Sequence, residues 1–493
     1  MLFPDGEREP QRIMARYDYN IVVIGAGSAG LVSAYIASAV KAKVALIEKH
    51  RMGGDCLNTG CVPSKALVRT TKILSYIKRH QEFGLKSASA EFDFAEVMER
   101  VQSVIKKIEP HDSIERYTSL GVDCFTGAAR ILSPHEVEVN GKTLSTRNII
   151  IATGARPTIP PIPGLDQVDY LTTDNIWDLR ELPKRLVVAG GGPIGCELTQ
   201  CFARLGSQVT QVEMMPDILI REDSEISRTI RKRFVAEGVD VRVNTKCKEI
   251  INDGGKQIMI CEKDGAEERI EFDKALIAVG RTANASGFGL EEIGVRSNPR
   301  GTVEVDEYLR TTTHKNIYAC GDVAGPYQFT HTAAHQAWYC AVNALSSPFK
   351  KFRADYRVIP WCTFTDPEVA RVGINEKEAK ERGISYKVTR YDIGDLDRAI
   401  ADGEDHGMVK VLTEPRKDRI LGVTIMGYHA GDLIVEYVAA MKHGFGLNKI
   451  LNTIHIYPTM VEANKFAAGV WKKDHAPQGL LNLAQKFHSW RRK

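Results

Sequence analysis

One unit occurs twice in this sequence, and it constrains the fold more than any other feature. The first copy begins DYNIVVIGAGSAGLVSAYIA and the second KRLVVAGGGPIGCELTQCFA. Each has a β-rich apolar run, a glycine triplet and a helix beginning with small residues. The triplets are Gly25-x-Gly27-x-x-Gly30 and Gly190-x-Gly192-x-x-Gly195. A second strand follows in each, KVALIEK ending near Glu48 and SQVTQVE ending at Glu213. In both copies the acid lies 23 positions after the first glycine, close to the spacing of about 20 for a dinucleotide fold. The first glycine permits a tight turn, the second lets the backbone approach a pyrophosphate, and the third lets helix and strand pack closely. The helix N-terminus then faces the phosphates and the acid accepts from a ribose diol. A lone triplet would be weak evidence. Two, each with strand, helix and distal acid, predict two dinucleotide sites in an α/β protein. Glu213 disfavours a 2′-phosphate, so the second site is expected to take NAD rather than NADP, although Arg221 lies eight residues on.

The stretch GGDCLNTGCVPSK, residues 53–65, puts Cys56 and Cys61 five positions apart just after the first unit. Such a pair can be a staple, half of a metal site, a redox couple or an accident. On a regular helix, residues five apart lie beyond the roughly 7 Å Cα limit for a disulfide. A bridge here needs broken backbone, which Asn58, Thr59 and Gly60 can supply, while Pro63 suits the first turn of a following helix. A helix N-terminus favours the thiolate. Cys196 and Cys201 have the same spacing in GCELTQC, with no glycine between them, and are expected to be packing thiols. None of the eight cysteines outside the first pair forms a C-x-x-C, so no metal site is expected. The first twenty residues lack the apolar core of a secretory signal, and ten cysteines in 493 residues are too few for a disulfide scaffold. The expected compartment is the cytoplasm, with most thiols reduced.

GGDCLNTGCVPSK resembles the redox motif of the flavoprotein disulfide reductases, the family of dihydrolipoamide dehydrogenase, glutathione reductase and mercuric reductase. The resemblance spans roughly residues 18 to 475 and includes both glycine units, ATGARP at 152–157, AVGRTAN at 278–284, ACGDVAG at 319–325 and FTDPEVARVG at 364–373. It implies an FAD-binding domain over 18–155 and 288–355, an NAD-binding domain over 156–287 and an α+β dimerisation domain over 356–475. Residues 1–17 are left as a leader arm and 476–493 as an amphipathic basic tail. It implies a homodimer. It implies that Gly25, Gly27, Gly30, Glu48, Gly54, Thr153, Gly154 and Asp322 hold FAD, with Lys65, Thr330 and His331 near the flavin. Gly190, Gly192, Gly195 and Glu213 would hold NAD, with Gly280 and Arg281 on the adjoining loop. Cys61 would be the flavin-proximal sulfur and Cys56 the one that attacks substrate. Lys65 would pair with Glu197, since a buried ammonium needs a partner.

One departure matters. The family's last motif is usually His-Pro-Thr-x-x-Glu, the histidine serving the partner subunit's thiols as acid/base and the glutamate orienting it. Here 455–462 read HIYPTMVE, so Pro458, Thr459 and Glu462 match but Tyr457 stands at the histidine position. An unperturbed phenol, with a pKa near 10, is a poor base at neutral pH. The mercuric reductases carry tyrosine there, but they close on a neighbouring cysteine pair, whereas the last cysteine here is Cys362. If 455–457 is extended, His455 projects to the same side as Tyr457 and is a substitute base, set against the favoured reading of a packing residue.

The expected activity is therefore electron transfer from NADH through FAD and a Cys56–Cys61 dithiol to a disulfide, a metal ion or a small oxidant. Dihydrolipoamide dehydrogenase is the alternative and a redox-sensing flavoprotein the minor one. A net charge of +4 over this length does not suggest a nucleic-acid partner, and no apolar run approaches a membrane span. In the tail, Leu480, Leu483, Ala484, Phe487 and Trp490 share one helical face. That face is expected to dock on the protein itself, with an anionic membrane surface as the weaker reading. Met460 and Phe466 have helical spacing suited to a core.

Overall fold

The computed structural model describes residues 16–492. The expected leader arm falls outside them except for Arg16 and Tyr17. The described chain forms two compact units. One comprises residues up to Cys56 together with 108–156 and 283–354, and the other 57–107, 157–282 and 355 onward.

In the first unit, the parallel strands Val122–Thr126, Val44–Glu48, Tyr19–Ile24 and Lys142–Ile151 lie side by side in that order, and Ile317–Ala319 joins beyond the last. Ile21 pairs with Val44 on one side and Asn148 on the other. Ile21, Val22 and Val23 are fully buried, as expected for a strand covered on both faces. The helix Ser28–Ala39 follows the glycine turn and buries Leu31 together with Ala29, Ala34 and Ala37, and the three small alanines let it lie close to the sheet.

The second unit repeats the plan. Strands Asp240–Arg242, Gln208–Val212, Arg185–Ala189, Lys274–Ile277 and Tyr170–Leu171 form a parallel sheet, and Pro193–Leu205 is the helix after the glycine turn. A three-stranded antiparallel sheet, 246–272, is attached to it in sequence. The unit also contains an antiparallel five-stranded sheet. In it Pro360–Thr363, Glu368–Gly373, Ile420–Gly427, Met408–Thr413 and Lys387–Asp392 adjoin in that order. Helices Ala430–His443 and Glu462–Asp474 cover this sheet with Leu433, Ile434, Tyr437, Ala463 and Ala467. The protein is thus mixed α/β, with two parallel nucleotide-binding sheets and an α+β region.

Two expectations are corrected. Met460 is buried in the core as its spacing predicts, but Phe466 is 42% exposed and rests against Tyr391 with ring centroids 5.5 Å apart. The tail does form a helix, Gln478–Arg491, yet none of its residues is buried. Among the described residues its apolar face stays uncovered. Proline at 477 ends the run of helix that follows Trp471, which is itself buried, and the new helix begins at Gln478.

A buried ionic cluster ties the second unit together. Asp366 accepts from Lys72 and Arg204, each at 2.7 Å, and its backbone is clamped by Gln200 at 2.7 and 2.9 Å. Burial pushes the carboxyl up, but the two cations outweigh it and hold Asp366 well below the usual range. A depressed folded pKa means that the stabilisation is complete above the unfolded value, about 3.9, and is lost as pH falls below it. Asp366→Asn, which leaves two buried cations short of a partner, is expected to cost about 3–5 kcal/mol at pH 7. The gap in thermal midpoint between wild type and variant should begin to narrow as pH falls below about 4 and go on narrowing toward the depressed folded value. A gap that stays unchanged between about pH 4 and about pH 2 would show that the carboxylate charge is not what stabilises.

Candidate active site

The two glycine turns are built alike. Gly25 has φ +99° and Gly190 φ +120°, and a Cβ at either would stand 2.4 Å from a backbone carbonyl, that of Ala152 or Ala278. A Cβ on Gly30 or Gly195 would lie 1.8 or 2.2 Å from the carbonyl oxygen of the first glycine in its own turn. Gly54, φ +56°, is packed so closely on Gly27 that a Cβ would meet the Gly27 Cα at 2.7 Å. Around Gly192 and Gly154 there is open space.

The distal acids also act alike. Glu48 accepts from the Ala26 amide at 2.7 Å and the His50 amide at 2.8 Å, and Glu213 from the Gly191 amide at 2.6 Å and the Met215 amide at 2.7 Å. Each carboxylate braces its glycine turn and keeps further lone pairs for a diol. Both units therefore hold the close-approach cradle that a dinucleotide needs, and the residues present fit FAD on the first and a nicotinamide nucleotide on the second.

Other residues quoted in the sequence motifs complete the loops around these cradles. In the first unit Asn284 clamps the Thr153–Gly154 turn. It accepts from the Thr153 hydroxyl at 2.7 Å, and its amides donate to Thr153 and Gly154 at 2.9 and 3.0 Å. Asp322 sits half-buried after Gly321, in a loop stapled by the fully buried Gln336. That side chain accepts from the Gly321 amide at 2.7 Å and donates to the Gly325 carbonyl at 2.6 Å. Thr330 opens the helix Thr330–Ser346, and the exposed His331 stacks on Phe329 with centroids 5.3 Å apart. In the second unit Gly280, φ +140°, accepts from the Thr158 amide at 3.0 Å, and Arg281 is half-buried beside it. Sequence reasoning passed over Asn284 and Gln336 as parts of the machinery. Asn284 closes the quoted AVGRTAN motif, but nothing in one dimension marks Gln336.

The cysteine segment breaks where its composition predicts. Cys56 lies in the short helix Gly54–Asn58, Cys61 is the first residue of the helix Cys61–Lys78, and Gly60 between them has φ −126° and ψ −106°, outside helical geometry. The Thr59 carbonyl is held by the Trp177 indole at 2.9 Å. Cys61 therefore opens a helix, the end at which the helix dipole favours a thiolate. Lys65, one turn on, shares its face.

Lys65 donates to Glu197 at 2.8 Å and lies 4.4 Å from the centre of the Phe364 ring. Glu197, itself buried on the helix Pro193–Leu205, takes the Phe364 amide at 2.9 Å with its other oxygen. Burial pulls the ammonium down, but Glu197 outweighs it, helped by Cys61 and Cys362, so Lys65 is held above its ordinary value and charged. The control pair behaves differently. Cys196 and Cys201 are buried on one regular helix, and burial pushes both thiols up to about 12. They are inert packing thiols.

At the other motif, Tyr457 is 67% exposed and its hydroxyl donates to Asp397 at 3.2 Å. That bond and the Asp397 charge raise the phenol above its ordinary value. Glu462 does not receive it and instead accepts from the Thr459 amide at 3.2 Å. His455 is anchored, with one ring nitrogen 3.0 Å from Glu436 and the other 3.0 Å from the Thr453 carbonyl. Two acidic groupings elsewhere, around Asp366 and around Asp223, are already filled by lysine and arginine, with Lys410 set among Asp223, Glu225 and Glu376.

The sequence profile described as pyridine nucleotide-disulphide oxidoreductase matches residues 19–337, and the dimerisation domain of the same family matches 359–468. The chain belongs to the pyridine nucleotide-disulphide oxidoreductases. Among relatives, a mercuric reductase of Bacillus cereus is 34% identical over 93% of this chain and 72% of its own. A dihydrolipoyl dehydrogenase of Thermus scotoductus is 36% identical over 91% of this chain and 96% of its own. The HOCl-induced flavoprotein disulfide reductase RclA of Escherichia coli, solved as a Cu(II) complex, superposes with a TM-score of 0.81 at 28% identity, covering 90% of this chain and 98% of that one. As a member of this family the protein is a flavoprotein oxidoreductase that works by flavin-dependent disulfide reduction, with FAD and NAD(P) as its nucleotides. Its C-terminal part is a dimerisation domain. Among the described residues no helix is long and apolar enough to cross a membrane.

Proposed function

We propose that the protein takes hydride from NADH, in preference to NADPH, and passes the electron pair through a Cys56–Cys61 dithiol to a soft metal ion or small oxidant, in the manner of a mercuric reductase. The observation that carries this reading is Tyr457, an exposed phenol whose hydrogen bond to Asp397 raises its pKa and keeps it protonated at neutral pH. Thiol–disulfide exchange with a lipoyl group moves protons between sulfurs in either direction, and a phenol held protonated at neutral pH does not accept them. A metal ion or oxidant asks for no such base. The names of two of the relatives above, a mercuric reductase and a dihydrolipoyl dehydrogenase, define the comparison.

In this reading residues 18–155 and 288–355 hold FAD, whose isoalloxazine supplies the two-electron relay. Residues 156–287 hold NADH, with Glu213 accepting from the adenosine ribose and repelling a 2′-phosphate. Cys61 is the sulfur on the flavin side, kept anionic by its helix N-terminus and by the Lys65 ammonium. Glu197 keeps that ammonium in place. Cys56 meets the acceptor. NADH, a proton and the disulfide give NAD⁺ and two thiols. Two thiols that bind a divalent soft metal as thiolates release two protons to solvent, and two-electron reduction of one Hg²⁺, or one-electron reduction of two Cu²⁺, restores the disulfide. Residues 356–475 form the dimer, with Tyr457 and Glu462 facing the partner subunit's thiols.

The His455–Glu436 pair, a histidine held by a carboxylate two residues before the motif, is the observation that favours dihydrolipoamide dehydrogenase instead. One experiment separates the readings. NADH oxidation is followed with lipoamide and, in parallel, with Hg²⁺ or Cu²⁺ as acceptor. Turnover with metal ion and little with lipoamide is expected, and Tyr457→His should raise the lipoamide rate at neutral pH by about 10²-fold, the low end for a positioned base. Fast lipoamide turnover by the wild type, lost in His455→Ala, would replace the proposal with the alternative.

A further inference from the structure

The C-terminal helix Gln478–Arg491 has no buried residue among the described side chains, although five of them are large and apolar. Leu480 is 64% exposed, Leu483 63%, Phe487 50% and Trp490 69%. At about 100° per residue these four, with Ala484, fall within roughly 120° of arc, so they make one continuous stripe about 15 Å long. A stripe of this size left in water is a docking surface. It lies beyond residue 468, where the dimerisation domain ends, so it adds to the family's plan rather than belonging to it.

The charges around the stripe decide its occupant. From His475 to the C-terminus the sequence has no Asp or Glu and contains Lys486, Arg491, Arg492 and Lys493. Taking these four from the 66 Lys and Arg of the chain leaves 62, equal to the 62 Asp and Glu, so the whole net charge of +4 resides in this segment. A second copy of the chain offers no net opposite charge to attract it. An anionic bilayer does, and it accepts apolar side chains at the same time. Trp490 and Phe487 are side chains of the kind that lodge at the headgroup boundary, and arginine reaches from an apolar stripe back to the phosphates.

We propose that residues 478–493 are a membrane-surface anchor that lies in the plane of an anionic lipid leaflet, with the Leu480–Trp490 stripe in the acyl boundary and Lys486 and Arg491–Lys493 on the headgroups. The enzyme would then work beside a bilayer without crossing it. This does not depend on which acceptor the site reduces.

The test is co-sedimentation of the full-length, FAD-loaded protein with vesicles of phosphatidylcholine alone and with 30 mol% phosphatidylglycerol. It is run beside a chain ending at Ala476 and a Leu483→Glu/Phe487→Glu variant, with the oligomeric state of each measured by analytical ultracentrifugation. Binding to the anionic vesicles is expected. It should fall by about tenfold or more in both variants and in 0.5 M salt, while their dimers and NADH oxidation stay unchanged. Equal binding by the shortened chain, or no binding by the full chain, overturns the proposal. So does loss of the dimer in the variants, which assigns the stripe to the second copy.

Discussion

Cys61→Ser is expected to lower turnover with every disulfide or metal acceptor by about 10³-fold or more, while NADH still bleaches the flavin absorbance in a single rapid phase. The reason is chemical. An alcohol at the N-terminus of the helix Cys61–Lys78 neither forms the bridge nor leaves as a thiolate, and no neighbouring thiol replaces it. Cys362, near enough to influence Lys65, has its thiol pushed far up by burial and then by Glu368. Cys56→Ser should give the same loss of turnover with a different spectrum, since the thiolate that remains is the one beside Lys65. Stopped-flow reduction and steady-state acceptor assays on both variants check this. If either keeps turnover within tenfold of wild type, electrons leave the flavin directly and the dithiol is not on the route.

Gly190→Ala is expected to raise the KM for NADH by about 10²-fold or more without loss of FAD. A Cβ there would stand 2.4 Å from the Ala278 carbonyl, and φ of +120° is closed to an L side chain. The turn must shift, and Glu213 loses its grip on the Gly191 amide, so both the phosphate cradle and the ribose acceptor move together. Gly25→Ala, with the same contact to Ala152, should do the reverse and yield colourless protein. Purifying both and reading flavin content, dithionite reduction and NADH titration separates the two sites. A Gly190→Ala protein that binds NADH normally would place the nicotinamide nucleotide elsewhere.

These two pairs of variants test what was legible in one dimension. A glycine that must have positive φ, and an acid 23 residues later that braces the same turn, leave a mark in the sequence because no other residue fits. The break at Thr59 and Gly60 is legible for the same reason. Cys196 and Cys201 repeat the cysteine spacing, and their inertness was readable from the regular helix they share. In each case a local backbone requirement narrows the choice of side chain.

Contacts between distant segments left no such mark. Gln336 staples the Asp322 loop, Asn284 locks Thr153 and Gly154, and Phe364 offers both its ring to Lys65 and its amide to Glu197. Any of these is an ordinary residue until folding brings its partner into contact. Phe466 was expected in the core because helical spacing says which residues share a face, but not whether that face is covered. The tail went the same way. Its amphipathic pattern determined a helix with an apolar stripe, and only the tertiary structure decided that none of the described residues of its own chain covers it. Periodicity reports the free energy a face would gain by burial, whereas burial itself depends on what surface the rest of the fold leaves within reach.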